Sequence, residues 1–148
     1  MKNASKKTRR LSHIKNLLMV ALADGPLNRL EEAFIKARAG SLNLSKKEIE
    51  EVLSNPNDIK SCAPLKLGNK ILQMYDMIHM MLMDNVMHKN ELDTCKEIAA
   101  GMNLMEDVVY NIARDVIKSK NAAGQLVLIN GNQETRFFYN QLRRSIKN

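Results

Sequence analysis

A chain of 148 residues, 45% of them hydrophobic, is long enough to bury a core without disulfide or metal staples, so one domain over 1–148 is the expected organisation. Its formal charge of +7 suggests nucleic acid only until the charges are placed along the chain. Residues 1–10 carry Lys2, Lys6, Lys7, Arg9 and Arg10 without an acid, and residues 134–148 carry Arg136, Arg143, Arg144 and Lys147 against Glu134, so the body between is close to neutral.

In chain order, residues 1–10 read as a basic tail, either frayed or a charged extension of the first helix. The run Lys6–Arg10 followed by LLMVALA and Asp24 imitates a secretory leader, but the apolar run is short and a matching segment recurs further on, so a structural helix is the better reading. From about Leu11 to Ala23, Leu11, Ile14, Leu17, Leu18, Ala21 and Leu22 follow helical spacing. Met19, Val20 and Ala23 make the second half of this helix apolar all round, as expected of a central helix. Asp24-Gly25-Pro26 stops it, because Gly25 tolerates positive φ and Pro26 lacks a donor. Asn28 and Glu31 then have the spacing of a capping box, opening a helix over about Arg29–Gly40, and Ser45 with Glu48 opens a third that runs to about Leu53.

A shift of sixty positions repeats the pattern. It carries Asp24 onto Asp84, Glu31 onto Glu91, Leu42-Asn43-Leu44 onto Met102-Asn103-Leu104, and Ile14, Leu17 and Val52 onto Met74, Met77 and Ile112. The apolar mask is common to both copies, about 11–53 and 71–118, although few residues are identical. In the second copy the greasy helix runs over about Leu67–Met83, followed by helices over about Lys89–Gly101 and Glu106–Lys118. Asn85 stands for Gly25, and His88, a poor cap, stands for Asn28. Beyond the repeats, Gln125–Ile129 reads as a strand or an apolar tether. Phe138, Leu142 and Ile146 indicate a helix from about Glu134, with a hairpin of Val127–Ile129 and Arg136–Tyr139 as the alternative. The fold class expected is all-α: a compact single-domain bundle of two three-helix pseudo-repeats plus a C-terminal segment. The two greasy helices would pack together near a pseudo-two-fold axis.

Ala21-Leu22-Ala23-Asp24-Gly25 through Glu31, followed by Leu42-Asn43-Leu44-Ser45, resembles the TerB-like family of tellurite resistance proteins. The resemblance implies a bundle of about seven helices, no established catalytic activity, links to stress response and membrane-associated complexes, and acidic residues at helix starts that bind a divalent cation.

The candidate site residues are therefore Asp24, Glu31, Asp84 and Glu91, four carboxylates that would converge if the two turns meet. The competing reading is structural and stands first: the aspartates stabilise turns and the glutamates cap helices. His79 and His88, with Asp84 and Glu91, are a weaker candidate set for zinc or iron. Met74, Met77, Met80, Met81, Met83 and Met87 fall on apolar positions of the first copy and read as core. No GxSxG, HExxH, phosphate loop or dinucleotide fingerprint occurs, so the chain reads as a non-enzyme. No cofactor is expected beyond a possible divalent cation. The partner expected is another protein. A nucleic-acid-associated protein acting through its basic termini is the alternative, and peripheral membrane association is left open. Two cysteines, Cys62 and Cys95, without a partner motif fit a reducing cytoplasm, and no apolar stretch reaches membrane-spanning length.

Overall fold

The computed structural model describes residues 5–121 and 123–146. Seven α-helices lie among these residues: α1 (Lys6–Leu22), α2 (Arg29–Ser41), α3 (Lys46–Ser54), α4 (Leu67–Met81), α5 (Lys89–Gly101), α6 (Glu106–Lys120) and α7 (Gln133–Ile146). Two three-residue strands, β1 (Val86–His88) and β2 (Val127–Ile129), complete the set with two short 3₁₀ turns. The all-α expectation holds. Helices α2 and α5 have the same bounds under the sixty-residue shift, and so do the starts of α3 and α6.

Local chemistry explains the repeated ends. Both capping boxes form: Glu31 N–H donates to Asn28 Oδ1 (2.8 Å) while Glu31 Oε1 accepts from Asn28 N–H (3.1 Å), and Ser45 with Glu48 does the same. After α2 and α5 the chain turns through Asn43 (φ 62°) and Asn103 (φ 61°), left-handed residues at equivalent positions. In each copy the amide three residues beyond the helix reaches back five residues, Leu44 to Ala39 O (3.1 Å) and Leu104 to Ala99 O (2.9 Å). These are Schellman closures, which satisfy carbonyls that the helix end leaves orphaned.

Helix α1 packs on α2, α3, α4 and α5, and α4 packs on α1, α5 and α6. The central pair runs side by side in one direction: His13 meets Asp76 partway along both helices, and Asp24 and Asp84, just past their C-terminal ends, line one cavity. Ile14, Leu17, Met74, Met77, Ile78, Met87 and Leu92 are wholly buried in a single core. The methionines at 74, 77, 80, 81 and 87 thus fill core space, and Met83 is half-buried.

One expectation, on the apolar faces of α1, is corrected, and two alternatives that the residues left open are decided. The first helix begins at Lys6, capped by Ser5, so the basic segment from Lys6 is helical; Lys2, like Lys147, lies outside the described residues. Helix α1 is not apolar-buried all round, since Met19 and Leu22 are 39% and 41% exposed. The equivalent Leu82 is wholly buried because α6, longer than α3, reaches the end of α4, where Lys120 Nζ donates to Leu82 O (2.7 Å) and Met83 O (3.2 Å). Finally, β2 does not form a hairpin. It pairs in parallel with Val86–His88, in the register Val86 to Val127, and Arg136–Tyr139 belong to α7. Phe138 and Leu142 of α7 are buried as the spacing predicts, while the Ile146 side chain lies outside the described residues.

Candidate functional site

The Asp-turn of each repeat delivers its carboxylate to the same place. Asp24, Glu31, Asp84 and Glu91 all line one cavity of about 210 Å³, together with His88, Met80, Met81 and Met83. Convergence follows from the parallel packing of α1 and α4, which brings both helix ends, and the helices that restart from them, to one end of the core.

The four acids are not equivalent. Glu31 is engaged in its capping box, and Asp84 Oδ1 accepts from the Val86 amide (3.0 Å), closing the turn into β1. Asp24 reaches across to the second repeat, where Oδ2 lies 2.5 Å from His88 Nδ1, off the line that the ring N–H would need for a good hydrogen bond. His88 occupies the cap position of α5, but its side chain makes no cap bond there. Glu91, at the place where Glu31 completes a box, therefore has no box to complete. It is 3% exposed and Glu31 is 8% exposed. Burial holds the Glu91 carboxyl well above the usual carboxylate range, and the nearby charge of Glu31, a hydrogen bond to Glu31, and the charges of Asp84 and Asp24 push the same way. Capping thus accounts for Glu31 but not for Glu91.

This donor set is hard: carboxylate oxygens with one imidazole, in a space large enough for a cation carrying some of its water. Among the described residues, no three His, Cys, Asp or Glu side chains stand gathered as metal ligands. The fit to a cation is therefore one of charge and space.

The zinc or iron set is taken apart by the fold. His79 is exposed on α4, edge-on to Phe34 with ring centroids 5.6 Å apart, and it lines a different surface hollow with Tyr75 and Asp115. His88 lines the acidic cavity instead, so the two histidines face different spaces. Cys95 is buried against Met81, and its thiol is pushed up by burial and by Glu91.

A second polar cluster escaped the reading of the sequence. Asp76 accepts from His13 Nε2 (2.7 Å) and Arg38 Nη2 (3.0 Å), joining α1, α2 and α4. The available signal was that His13 and Gln73, equivalent under the shift, are both polar within greasy helices.

Together these features define a class: an all-α bundle of duplicated three-helix units with an acidic cavity where the units meet. No protein-family model matches the chain, and comparisons with curated proteins and with solved structures likewise gave no match.

Proposed function

We propose that the chain is a non-enzymatic, TerB-like interaction module of the cytoplasm that takes a hard divalent cation at Asp24, Glu31, Asp84 and Glu91 and engages a protein partner in a stress-associated role. The observation that carries the cation part is Glu91: a buried carboxyl without a capping bond, facing a second buried glutamate in a cavity walled by two further aspartates. Such a group is costly unless it is protonated or meets a cation. Magnesium or calcium suits a set made of carboxylate oxygens, whereas zinc, which favours nitrogen and sulfur, would find one imidazole here, His88. The family assignment is supported by the Ala-Asp-Gly turn, the later Glu and the matching repeat bounds.

The alternative through basic termini has less support, since Lys7 is paired with Glu48 (2.9 Å) and Arg143 lies over the Tyr139 ring at 5.6 Å. No helix among the described residues is long and apolar enough to cross a membrane.

Isothermal titration of the protein with Ca²⁺, Mg²⁺ and Zn²⁺ tests the proposal. Saturable heat with Ca²⁺ or Mg²⁺, lost in Asp24→Asn/Asp84→Asn and accompanied by proton release in buffers of different ionisation enthalpy, is the expected result. Absence of heat at every pH from acid to alkaline overturns it.

A further inference from the structure

At the end of the bundle away from the acidic cavity, the starts of α1, α3, α4 and α6 come together. Lys6, Arg9 and Arg10 of α1 line one groove with Pro64, Asn69 and Leu72, which sets the first turns of α1 and α4 side by side. The Lys7–Glu48 ion pair (2.9 Å) adds the start of α3. Lys70 Nζ, donating to Met102 O (2.8 Å), adds the link that leads into α6.

This end is basic where helix starts are ordinarily acidic. Neither α1 nor α4 has an acid in its first turn. Lys6, Lys7 and Arg9 open the one, and Lys66 and Lys70 the other, so the side chains add to the positive helix ends instead of balancing them. Helix α3 opens on Lys46 and Lys47, both exposed. Of the acids in the first turns of α3 and α6, Glu48 is paired with Lys7 and Glu106 with Lys96 (3.0 Å), which leaves Asp107.

Charge does not choose an occupant, but the apolar side chains set among these charges do. Among the described residues, four of the five most exposed large apolar side chains are here: Met105 (75%), Leu65 (72%), Leu67 (65%) and Leu72 (65%). Leu65 and Leu67 flank Lys66, Leu72 lines the groove with Arg10, and Met105 follows the link that Lys70 holds. A protein interface gathers its apolar residues in a centre depleted of lysine, the reverse of single leucines alternating with lysines. Nucleic acid would use the charge but leave the leucines idle, since bases stack on aromatic rings. An anionic bilayer uses both: its headgroups attract the basic residues, and isolated apolar side chains between them enter the acyl boundary without a matching shape.

We propose that this end face docks on an anionic lipid surface, with Leu65, Leu67, Leu72 and Met105 at the acyl boundary and the basic starts of α1, α3 and α4 against the headgroups. The contact is peripheral. It leaves the acidic cavity on the side away from the membrane and is independent of any cation there.

The test uses the full chain, a chelator throughout, and vesicles of phosphatidylglycerol and phosphatidylcholine in equal parts, with phosphatidylcholine alone as the second arm. Expected is co-sedimentation with the anionic vesicles that weakens with salt, and none with phosphatidylcholine. The chain has no tryptophan, so Leu67→Trp reports its own surroundings. Its emission should shift to the blue on the anionic vesicles, whereas that of Phe137→Trp, on α7 and 67% exposed, should not. Leu65→Ser/Leu67→Ser should lower the binding constant about tenfold or more, and Lys66→Gln about fivefold. Met105→Ser, in a different link, repeats the apolar test should the double variant fail to fold. Absence of binding to the anionic vesicles overturns the proposal. So does binding that the serine variants leave intact, the mark of a merely basic surface, or an equal blue shift in Phe137→Trp. Self-association that Leu65→Ser/Leu67→Ser abolishes, without any response to vesicles, makes the face a protein interface and overturns it too.

Discussion

His88 turns away from the helix it introduces and meets Asp24 of the other repeat, Nδ1 to Oδ2 at 2.5 Å. The residue at the equivalent place, Asn28, instead caps its own helix through the Glu31 amide (2.8 Å). One position has therefore been given two uses, and the glutamate three residues on is freed in the second copy to face the cavity. Asn28→Ala should cost about 1 kcal/mol through loss of a capping box. His88→Ala should leave amide exchange at the start of α5 unchanged, because it removes no cap. Native-state exchange on the two variants checks both outcomes.

Glu91 makes stability fall with rising pH. Its carboxyl keeps its proton when folded but releases it in the usual glutamate range when unfolded, so the folded state binds more protons above that range. The native chain should lose up to about 1.4 kcal/mol per pH unit from there through neutrality. Glu91→Gln should flatten that slope and be the more stable form at alkaline pH. Urea melts across the pH range measure it, and parallel slopes would count against the buried proton.

Leu17 and Met77 are equivalent under the shift and both wholly buried. Leu17→Ala and Met77→Ala should each cost about 2–5 kcal/mol, transfer and cavity together. A much smaller cost at Met77 would mean that the methionine-rich helix is loosely packed, and denaturant midpoints at constant m-value decide it.

Asn43 and Asn103 hold left-handed backbone where an alanine Cβ is disfavoured. Asn43→Ala and Asn103→Ala should each destabilise by about 1 kcal/mol, and Asn→Gly at either site should be neutral or slightly stabilising. Thermal unfolding of the single and double variants, with additive losses, checks that the two closures act independently.

Helix periods, capping boxes and the left-handed Asn85 (φ 62°) were legible in the residues because each depends on neighbours a few positions apart, and the sixty-residue repeat because the same local pattern recurs. The repeated Asp and Glu could be singled out for the same reason. The joining of β1 to β2 could not, since Val86–His88 looks like the tail of a turn until Val127–Ile129 arrives beside it. Nor could the separation of His79 from His88, or the tie of Asp76 to His13 and Arg38, whereas the missing box at Glu91 was already signalled by His88, a poor cap. All of these follow from the direction in which α1 and α4 lie against one another, which brings their acidic ends together. Burying two apolar helix faces drives that packing but is non-directional, so the pattern along the chain specifies that the helices meet and only the packed core decides which polar groups meet with them.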